Sequence, residues 1–200
     1  MHARVVTFTG TPDIDAGIGI LRENVVPVMR DQKGYRGLHA SADRSHDVLG
    51  VLTIWDTEAE RDESWDAVAP VRRENMAAIG GEVGVDQYEV LLQEFGGIPA
   101  APGSALLLVP VDTDTARIDE NLAFFRREVL PEITSSPGFQ GVRLLMNRES
   151  GRGMTGTSWS DREAMAEAAA ATEARRPGAA ARGVLFGELS YREIVLADIG

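Results

Sequence analysis

The chain has 200 residues, 44% of them hydrophobic and 26% charged, which is an ordinary globular composition for one large domain or two of about 100 residues. Its net charge of −11 would repel a phosphate backbone, and no lysine- or arginine-rich run offers a local exception, which excludes nucleic acid as an expected partner. The absence of cysteine excludes disulfides, thiolate metal sites and cysteine nucleophiles.

Targeting and membrane segments are not expected either. The N-terminal stretch MHARVVTFTGTPD has no apolar segment of signal-peptide length, and nowhere do 18 apolar residues follow one another. We therefore expect a cytoplasmic protein without a membrane partner.

The chain begins with a pattern that predicts a strand, a turn and a helix. The short apolar run ARVVTFT indicates a strand, and the Asp- and Thr-containing stretch GTPDID indicates a turn. The next apolar residues recur at helical spacing: Ile14, Ile18, Leu21 and Val25. Pro27 is expected to kink or end this helix, and Gly34 to take the left-handed conformation that closes it.

A hairpin and a second helix are predicted next. Residues 38–43 and 47–55 have strand composition on either side of a polar turn, and the second strand ends at Trp55. Asp56 or Thr57 can cap a following helix, which Pro70 is expected to break. The stretch VGVDQYEVLLQEF then predicts a last strand.

The second half of the chain repeats the first. VVPVMRDQKGYRGL (25–38) and VLPEITSSPGFQGV (129–142) share Val-x-Pro and Gly-aromatic-x-Gly at a constant offset of 104. The same offset continues without a gap through further pairs: Arg22 and Arg126, Arg44 and Arg148, Thr53 and Thr157, Trp55 and Trp159. We interpret the chain as a tandem duplication, with repeats at 1–95 and 104–200 joined by the Gly- and Pro-rich linker 96–103.

Each copy gives the element order βαββαβ, that of a ferredoxin-like α+β unit with two helices on one face of an antiparallel sheet. In the second copy, Ser160 is the expected cap of the second helix, which is predicted to stop near Arg176. Strands such as 48–54 and 106–109 carry apolar residues on both faces, so the face opposite the helices is expected to be buried as well. The sheet of the other copy is the expected cover.

Two motif pairs carry a family resemblance: PVMRDQKGYRG with PEITSSPGFQG, and VLTIWDTEAE with TGTSWSDREA. With them the chain resembles a tandem member of the dimeric α+β barrel superfamily, near the antibiotic biosynthesis monooxygenase-like domains. The resemblance implies two ferredoxin-like units packed sheet to sheet as an intramolecular dimeric α+β barrel. It further implies a monomeric pseudo-dimer, with further self-association left open.

The resemblance implies several activities. Similar proteins include cofactor-independent oxygenases of hydroquinone-like compounds and heme-degrading enzymes that use a histidine on the second helix. Neither 57–80 nor 161–176 contains a histidine, which disfavours heme, and no cofactor is expected. The favoured function is a cofactor-independent monooxygenase acting on an aromatic or quinol-type small molecule. The alternative is a non-catalytic small-molecule-binding or structural protein.

Candidate site residues follow from this hypothesis. His39, on the predicted second strand, is the candidate catalytic base because its unperturbed pKa lies near neutrality. Its counterpart Arg143 is a cation that could hold a phenolate or carboxylate. Trp55, Trp159 and Asn24 are candidate pocket residues. Each also has a structural explanation. His39 could be a structural histidine and Arg143 part of a surface ion pair, while the tryptophans could be core residues and Asn24 an exposed helix position.

No metal site is expected. Glu58, Asp62 and Asp66 recur every four residues, which predicts one solvated stripe of a helix, and no histidine lies close enough in sequence to complete a transition-metal set.

Overall fold

The computed structural model describes residues 1–199, which form two compact units. Unit 1 comprises Met1–Gln87 together with the C-terminal segment that starts at Glu193, and unit 2 comprises Tyr88–Arg192. These units are defined by contacts, whereas the boundaries 1–95, 96–103 and 104–200 were predicted from the sequence repeat and remain a prediction.

Unit 1 is an antiparallel sheet with helices on one face. Its elements in chain order are β1 (His2–Thr9), α1 (Ile14–Ile20), a π-helical turn (Leu21–Val25), α2 (Val26–Arg30), β2 (Tyr35–Asp43), β3 (Val48–Trp55), α3 (Glu58–Ala67), α4 (Ala69–Ile79) and the first part of β4 (Glu82–Phe95). β3 lies between β1 and β2, so that His2 and Tyr35 both stand opposite Trp55.

Unit 2 repeats this arrangement. Its elements are the second part of β4, β5 (Ala105–Thr113), a 3₁₀ turn (Thr115–Arg117), α5 (Ile118–Phe124), a π-helical turn (Phe125–Val129), α6 (Leu130–Ser135), β6 (Phe139–Met146), β7 (Arg152–Trp159), α7 (Arg162–Ala181), β8 (Val184–Phe186) and the start of β9 (Ser190–Ile199). Ala105 and Phe139 both stand opposite Trp159 on β7, as His2 and Tyr35 do opposite Trp55.

Two long strands take part in both sheets. The second part of β4 pairs with β6, and the second part of β9 pairs with β2. The strand order is β7-β6-β4-β1-β3-β2-β9-β5-β8, and a further pairing between β7 and β5 closes a ring of eight antiparallel strands. The predicted α+β fold class, a barrel of two tandem ferredoxin-like units, is confirmed.

The first helix of each unit is distorted just before its proline, as predicted. Pro27 and Pro131 stand at the start of α2 and α6, and in both copies five π-helical residues precede the α-helical segment. Because proline has no N–H and its ring clashes with the carbonyl of the preceding turn, the wider turn accommodates it without ending the helix. Gly34 and Gly138 have φ angles of +74° and +76° in the turns that follow.

The second helix differs between the copies. In unit 1 it is divided at Val68, next to Pro70, as predicted, and Thr57 is its N-cap. In unit 2 the predicted end near Arg176 is wrong, since α7 continues to Ala181 with Pro177 inside. Pro177 is exposed, and the alanines at 168–171 and 179–181 of the same helix favour helix strongly enough to tolerate the lost hydrogen bond. Its N-cap is Asp161 rather than the expected Ser160.

Within residues 1–199, none of the helices combines the length and the apolar character needed to cross a bilayer.

A fragment of Met1–Gly96 should not remain a folded monomer. It lacks the segment from Glu193 to Ile199, which pairs with β2 from Ala42 to Gly37 and places Val195 and Leu196 in the core of unit 1. The exposed strand edge and apolar surface favour unfolding or self-association. Light scattering after size exclusion should show aggregates or dimers, with the full-length chain as the control. A well-folded fragment monomer would contradict the fold.

A pair of Gly→Ala substitutions tests the hairpin of unit 2. Gly151 has φ +72°, and a Cβ there would lie 1.9 Å from the carbonyl oxygen of Thr113, so G151A should lower the free energy of unfolding by about 1–3 kcal/mol. Gly178 lies in α7 with open space around its Cα, so G178A should raise it by about 0.5–1 kcal/mol. Urea denaturation measures both, and equal effects of the two substitutions would contradict this local geometry.

Candidate functional site

His39 and Arg143 lie on the sheet faces that carry no helices. On β2 the neighbours Leu38 and Ala40 join the core under the helices, so the alternation of the strand turns His39 to the opposite face. It stands opposite Leu52 on β3 and Ala197 on β9. Its catalytic role stays a prediction.

Arg143 occupies the corresponding place in unit 2. Its Nε donates a hydrogen bond to Gln93 Oε1 at 2.8 Å, and its guanidinium lies 5.2 Å from the ring centroid of Phe95. Burial of the cation lowers the pKa of Arg143 to about 10, still well above neutrality. The side chain is therefore a largely buried cation that contacts an amide oxygen and an aromatic ring.

Trp55 and Trp159 are core residues at matching corners. Their exposed fractions are 0% and 1%, and each indole N–H donates to the threonine two residues before it, Thr53 at 3.1 Å and Thr157 at 2.9 Å. Each ring also packs edge to face on the aromatic residue that opens the second strand of its unit, Tyr35 or Phe139. These contacts support the structural explanation considered for both tryptophans.

Asn24 lies in the π-helical turn of unit 1 and is exposed. Its Nδ2 donates to Oδ1 of Asn75 on α4 at 3.4 Å. The structure thus brings Asn24 to a residue that the sequence did not single out. None of the five predicted residues lines either of the two cavities described below, and their role in a pocket stays a prediction.

Unit 2 contains a cavity of about 400 Å³ between its sheet and its helices. The floor is formed by side chains of β5, β6 and β7, including Val109, Leu144 and Thr155, and the walls by α5, α6 and α7. Most of the surface is apolar, and the volume lies in the range of about 300–1,000 Å³ found for small-molecule sites. This cavity is the candidate site of the protein.

One end of the cavity is polar. Asn121 on α5 donates from Nδ2 to Thr113 Oγ1 at 3.0 Å, and Thr113 Oγ1 donates to the carbonyl oxygen of Gly183 at 3.1 Å. These bonds fix the amide with its nitrogen towards β5. The other amide atom, Asn121 Oδ1, is a buried acceptor without a hydrogen-bond partner. A buried acceptor of this kind favours a ligand that donates a hydrogen bond.

Arg182 supplies a donor to the same cavity. Its guanidinium lies 3.9 Å from the ring centroid of Phe124, and its Nη2 is 3.5 Å from Glu120 Oε1. Its Nε–H is buried and has no hydrogen-bond partner. Two residues of the mostly apolar lining therefore each carry a buried polar atom without a partner, the acceptor Asn121 Oδ1 and the donor Arg182 Nε.

Ion pairs lie at the rim. Glu132 on α6 and Arg175 on α7 both line the cavity and are joined at 2.7 Å, which links the two helices. Glu128, half exposed, also lines the cavity and pairs with Arg127 at 2.6 Å. Among the described lining residues there is no histidine or lysine, so these two carboxylates are the available proton acceptors.

The described cavity at the equivalent place in unit 1 is smaller, about 80 Å³. Gly17 stands where unit 2 has Asn121, and a Cβ there would lie 3.0 Å from Leu49 Cδ2, so α1 packs directly on β3. The residue that corresponds to Leu49 is Gly153, and the strand registers match Phe8 with Val111. Smaller strand residues and a longer helix residue thus open the cavity of unit 2.

Comparison with protein-family models gives no match. Among curated proteins, the uncharacterized protein Rv2557 of Mycobacterium tuberculosis is 25% identical over 166 residues, which cover 82% of this chain and 74% of that protein. This likeness assigns no activity.

Solved structures share the fold over nearly the whole chain. A protein named as a candidate monooxygenase from Fusobacterium nucleatum matches with a TM-score of 0.74 at 11% identity, covering 99% of this chain and 94% of its own. An anthrone oxidase-like protein matches with a TM-score of 0.67 at 14% identity, covering 100% and 94%.

A third structure names the fold. A ferredoxin-fold protein of Listeria monocytogenes, related to antibiotic biosynthesis monooxygenases, matches with a TM-score of 0.52 at 12% identity, covering 96% of this chain and 94% of its own. This chain has the dimeric α+β barrel fold. The resemblance inferred from the proline–glycine joints and the tryptophan corners is confirmed at the level of fold. Identities this low do not carry the chemistry of those proteins to the dimeric α+β barrel described here.

A reciprocal swap tests the cavity difference between the units. Val111→Phe adds volume to the cavity of unit 2 and should leave the free energy of unfolding unchanged or raise it by up to about 1 kcal/mol. Phe8→Val removes buried volume from the tightly packed unit 1 and should lower it by about 2 kcal/mol. Chemical denaturation measures both. Strong destabilisation by V111F would contradict the open cavity.

Proposed function

We propose that the cavity of unit 2 binds a flat, largely apolar phenol or quinol and that the protein oxidises it with O₂ without a bound cofactor. One observation carries the proposal: two residues that line one apolar cavity, Asn121 and Arg182, each have a buried polar atom without a hydrogen-bond partner, the acceptor Oδ1 and the donor Nε. A ligand that bears a hydroxyl group beside a carbonyl or phenolate oxygen satisfies both groups at once.

The chemistry needs an electron-rich substrate. An anthrone-like compound that loses a proton from its methylene becomes a carbanion able to transfer an electron to O₂, and the radicals combine to a hydroperoxide. Loss of water then converts the methylene to a carbonyl, so that one O₂ yields one carbonyl oxygen and one water. The substrate is the reductant, and a dry cavity protects the carbanion from reprotonation.

The residues of unit 2 divide these tasks. Asn121 accepts the hydrogen bond of the phenol, and Arg182 stabilises the negative charge that develops on the neighbouring oxygen. Glu128 accepts the proton of the methylene and returns it to the peroxide that forms with O₂, because its carboxylate lines the cavity. The monooxygenase and anthrone oxidase-like names of the structural neighbours support this class of reaction.

A second candidate function is binding without turnover. The absence of histidine and lysine from the described lining favours it, because a carboxylate is a weak base towards a phenol or an activated methylene. In this case the same ligand class occupies the cavity and leaves unchanged.

An oxygen electrode with 1,8-dihydroxyanthrone as the probe tests the proposal. Chelator-treated protein should accelerate O₂ uptake above autoxidation, and Asn121→Leu, which removes the buried acceptor, should lower kcat/KM by about tenfold or more. No acceleration over autoxidation would defeat the monooxygenase function. Saturable fluorescence quenching by the probe without O₂ uptake would instead establish the binding function.

The proton acceptor is tested by two substitutions in the same assay. Glu128→Gln should lower kcat and leave KM almost unchanged, since the amide cannot take the proton. His39→Gln tests the base predicted from the sequence, and a greater loss of kcat in this variant than in E128Q would overturn the assignment to Glu128. Thermal unfolding of each variant separates loss of activity from loss of fold.

A further inference from the structure

A cluster of cationic and aromatic side chains lies beside the small cavity of unit 1. Arg4 on β1 has an exposed fraction of 3%, and its guanidinium lies 4.5 Å from the ring centroid of Trp65 on α3. Arg72 on α4 lies 3.6 Å from the same centroid. All three side chains line the cavity.

The two Nη atoms of the Arg4 guanidinium have hydrogen-bond partners, but its Nε does not. Its Nη1 donates to Ser64 Oγ at 3.2 Å and its Nη2 to the carbonyl oxygen of Arg61, while the nearest carboxylate, Asp62, is 3.8 Å away and also pairs with Arg61 at 2.9 Å. Nε of Arg4 is buried and has no hydrogen-bond partner. Glu58 and Asp62, both at least half exposed, pair with Arg61 at 3.0 and 2.9 Å. Burial, together with the neighbouring Arg61 cation, lowers the pKa of Arg4 to about 10, so the charge of Arg4 is incompletely compensated.

A second unpartnered donor belongs to the same cavity. Asn75 on α4 has an exposed fraction of 7%, and its Oδ1 accepts from Asn24, which leaves Nδ2 buried without a partner. A buried guanidinium N–H and a buried amide N–H therefore border one cavity. Unpartnered buried donors beside an incompletely compensated guanidinium favour an anionic acceptor.

The rest of the lining is aliphatic, with Leu21, Val25 and Met76 among its side chains. At about 80 Å³ the cavity is several times the ~10–15 Å³ that a single water needs, yet far smaller than the cavity of unit 2. Its size, donors and apolar walls fit a small anion that carries a short apolar group.

We propose that unit 1 binds a short-chain monocarboxylate, with its carboxylate against Arg4 Nε, Asn75 Nδ2 and the Arg72 guanidinium and its alkyl group among the aliphatic side chains. The site is distinct from the cavity of unit 2 in residues and in ligand chemistry. In unit 2 the strand register puts Leu107 at the position of Arg4, so the carboxylate site belongs to unit 1.

Isothermal titration with sodium propionate tests the site. Propionate should bind saturably with one equivalent, whereas the neutral isostere propionamide should bind at least about tenfold more weakly because it cannot match the positive charge. Sodium phosphate should also bind more weakly, since the aliphatic walls exclude a polyanion. Equal binding of phosphate, or absence of saturable propionate binding, would overturn the proposal.

Matched variants locate the binding. Asn75→Asp keeps an oxygen to accept from Asn24 but replaces the free donor by a negative charge, and should abolish propionate binding. Arg4→Leu, the residue found in unit 2, should weaken it by at least about tenfold. Val111→Phe, which alters only the cavity of unit 2, should leave it unchanged. Unaltered binding in N75D, checked for fold by its unfolding curve, would contradict this location.

Discussion

Backbone hydrogen bonding at the sheet edges is the constraint on which the structure depends. A β-strand with an unpaired edge exposes donors and acceptors that must find partners. Here the edges are satisfied because β4 and β9 are each long enough to pair in both units, β4 with β1 and then β6, and β9 with β5 and then β2. Each unit is therefore completed by strand residues that belong to the other predicted sequence repeat.

The two units share the same tryptophan corner but differ in the residues between sheet and helices. Both units keep the buried tryptophan with its threonine acceptor and its edge-to-face aromatic partner, which fixes the corner between the third strand and the following helix. The helix-facing positions changed instead: Gly17 to Asn121, Leu49 to Gly153, and Arg4 to Leu107. These differences in side-chain size and charge accompany a large, mostly apolar cavity in unit 2 and a small cavity lined by arginines in unit 1.

Much of the fold could be predicted from the sequence because its signals are local. Helical spacing, the prolines, the glycines and the tryptophans gave the element order, and their constant offset gave the duplication. The exchange of strand segments could not be predicted, since nothing in residues 193–199 indicates that they pair with β2. The end of α7 was missed because an exposed proline is tolerated in an alanine-rich helix.

The candidate site was harder to predict for a related reason. The side chain of His39 points to the opposite face of β2 from those of Leu38 and Ala40. Because both faces of the strands are apolar, the sequence does not indicate which face lies under the helices. Trp65 and Asn121 are separated along the chain from the residues they contact. The aligned repeats carried one usable signal for the cavity, since Gly17 corresponds to Asn121 and Leu49 to Gly153. How these differences change the space under the helix depends on the strand register, which the sequence does not show.

The central claim is that the cavity of unit 2 is a binding site for a hydroxyl-bearing aromatic compound. The most direct test is a ¹H–¹⁵N NMR titration of the full-length protein with 1-naphthol. Binding in this cavity should give saturable shifts of the backbone amides of Thr113, Leu122 and Gly183 and of the side-chain amide of Asn121. Saturable shifts confined to the strands around His39, or no saturable shifts at all, would contradict it.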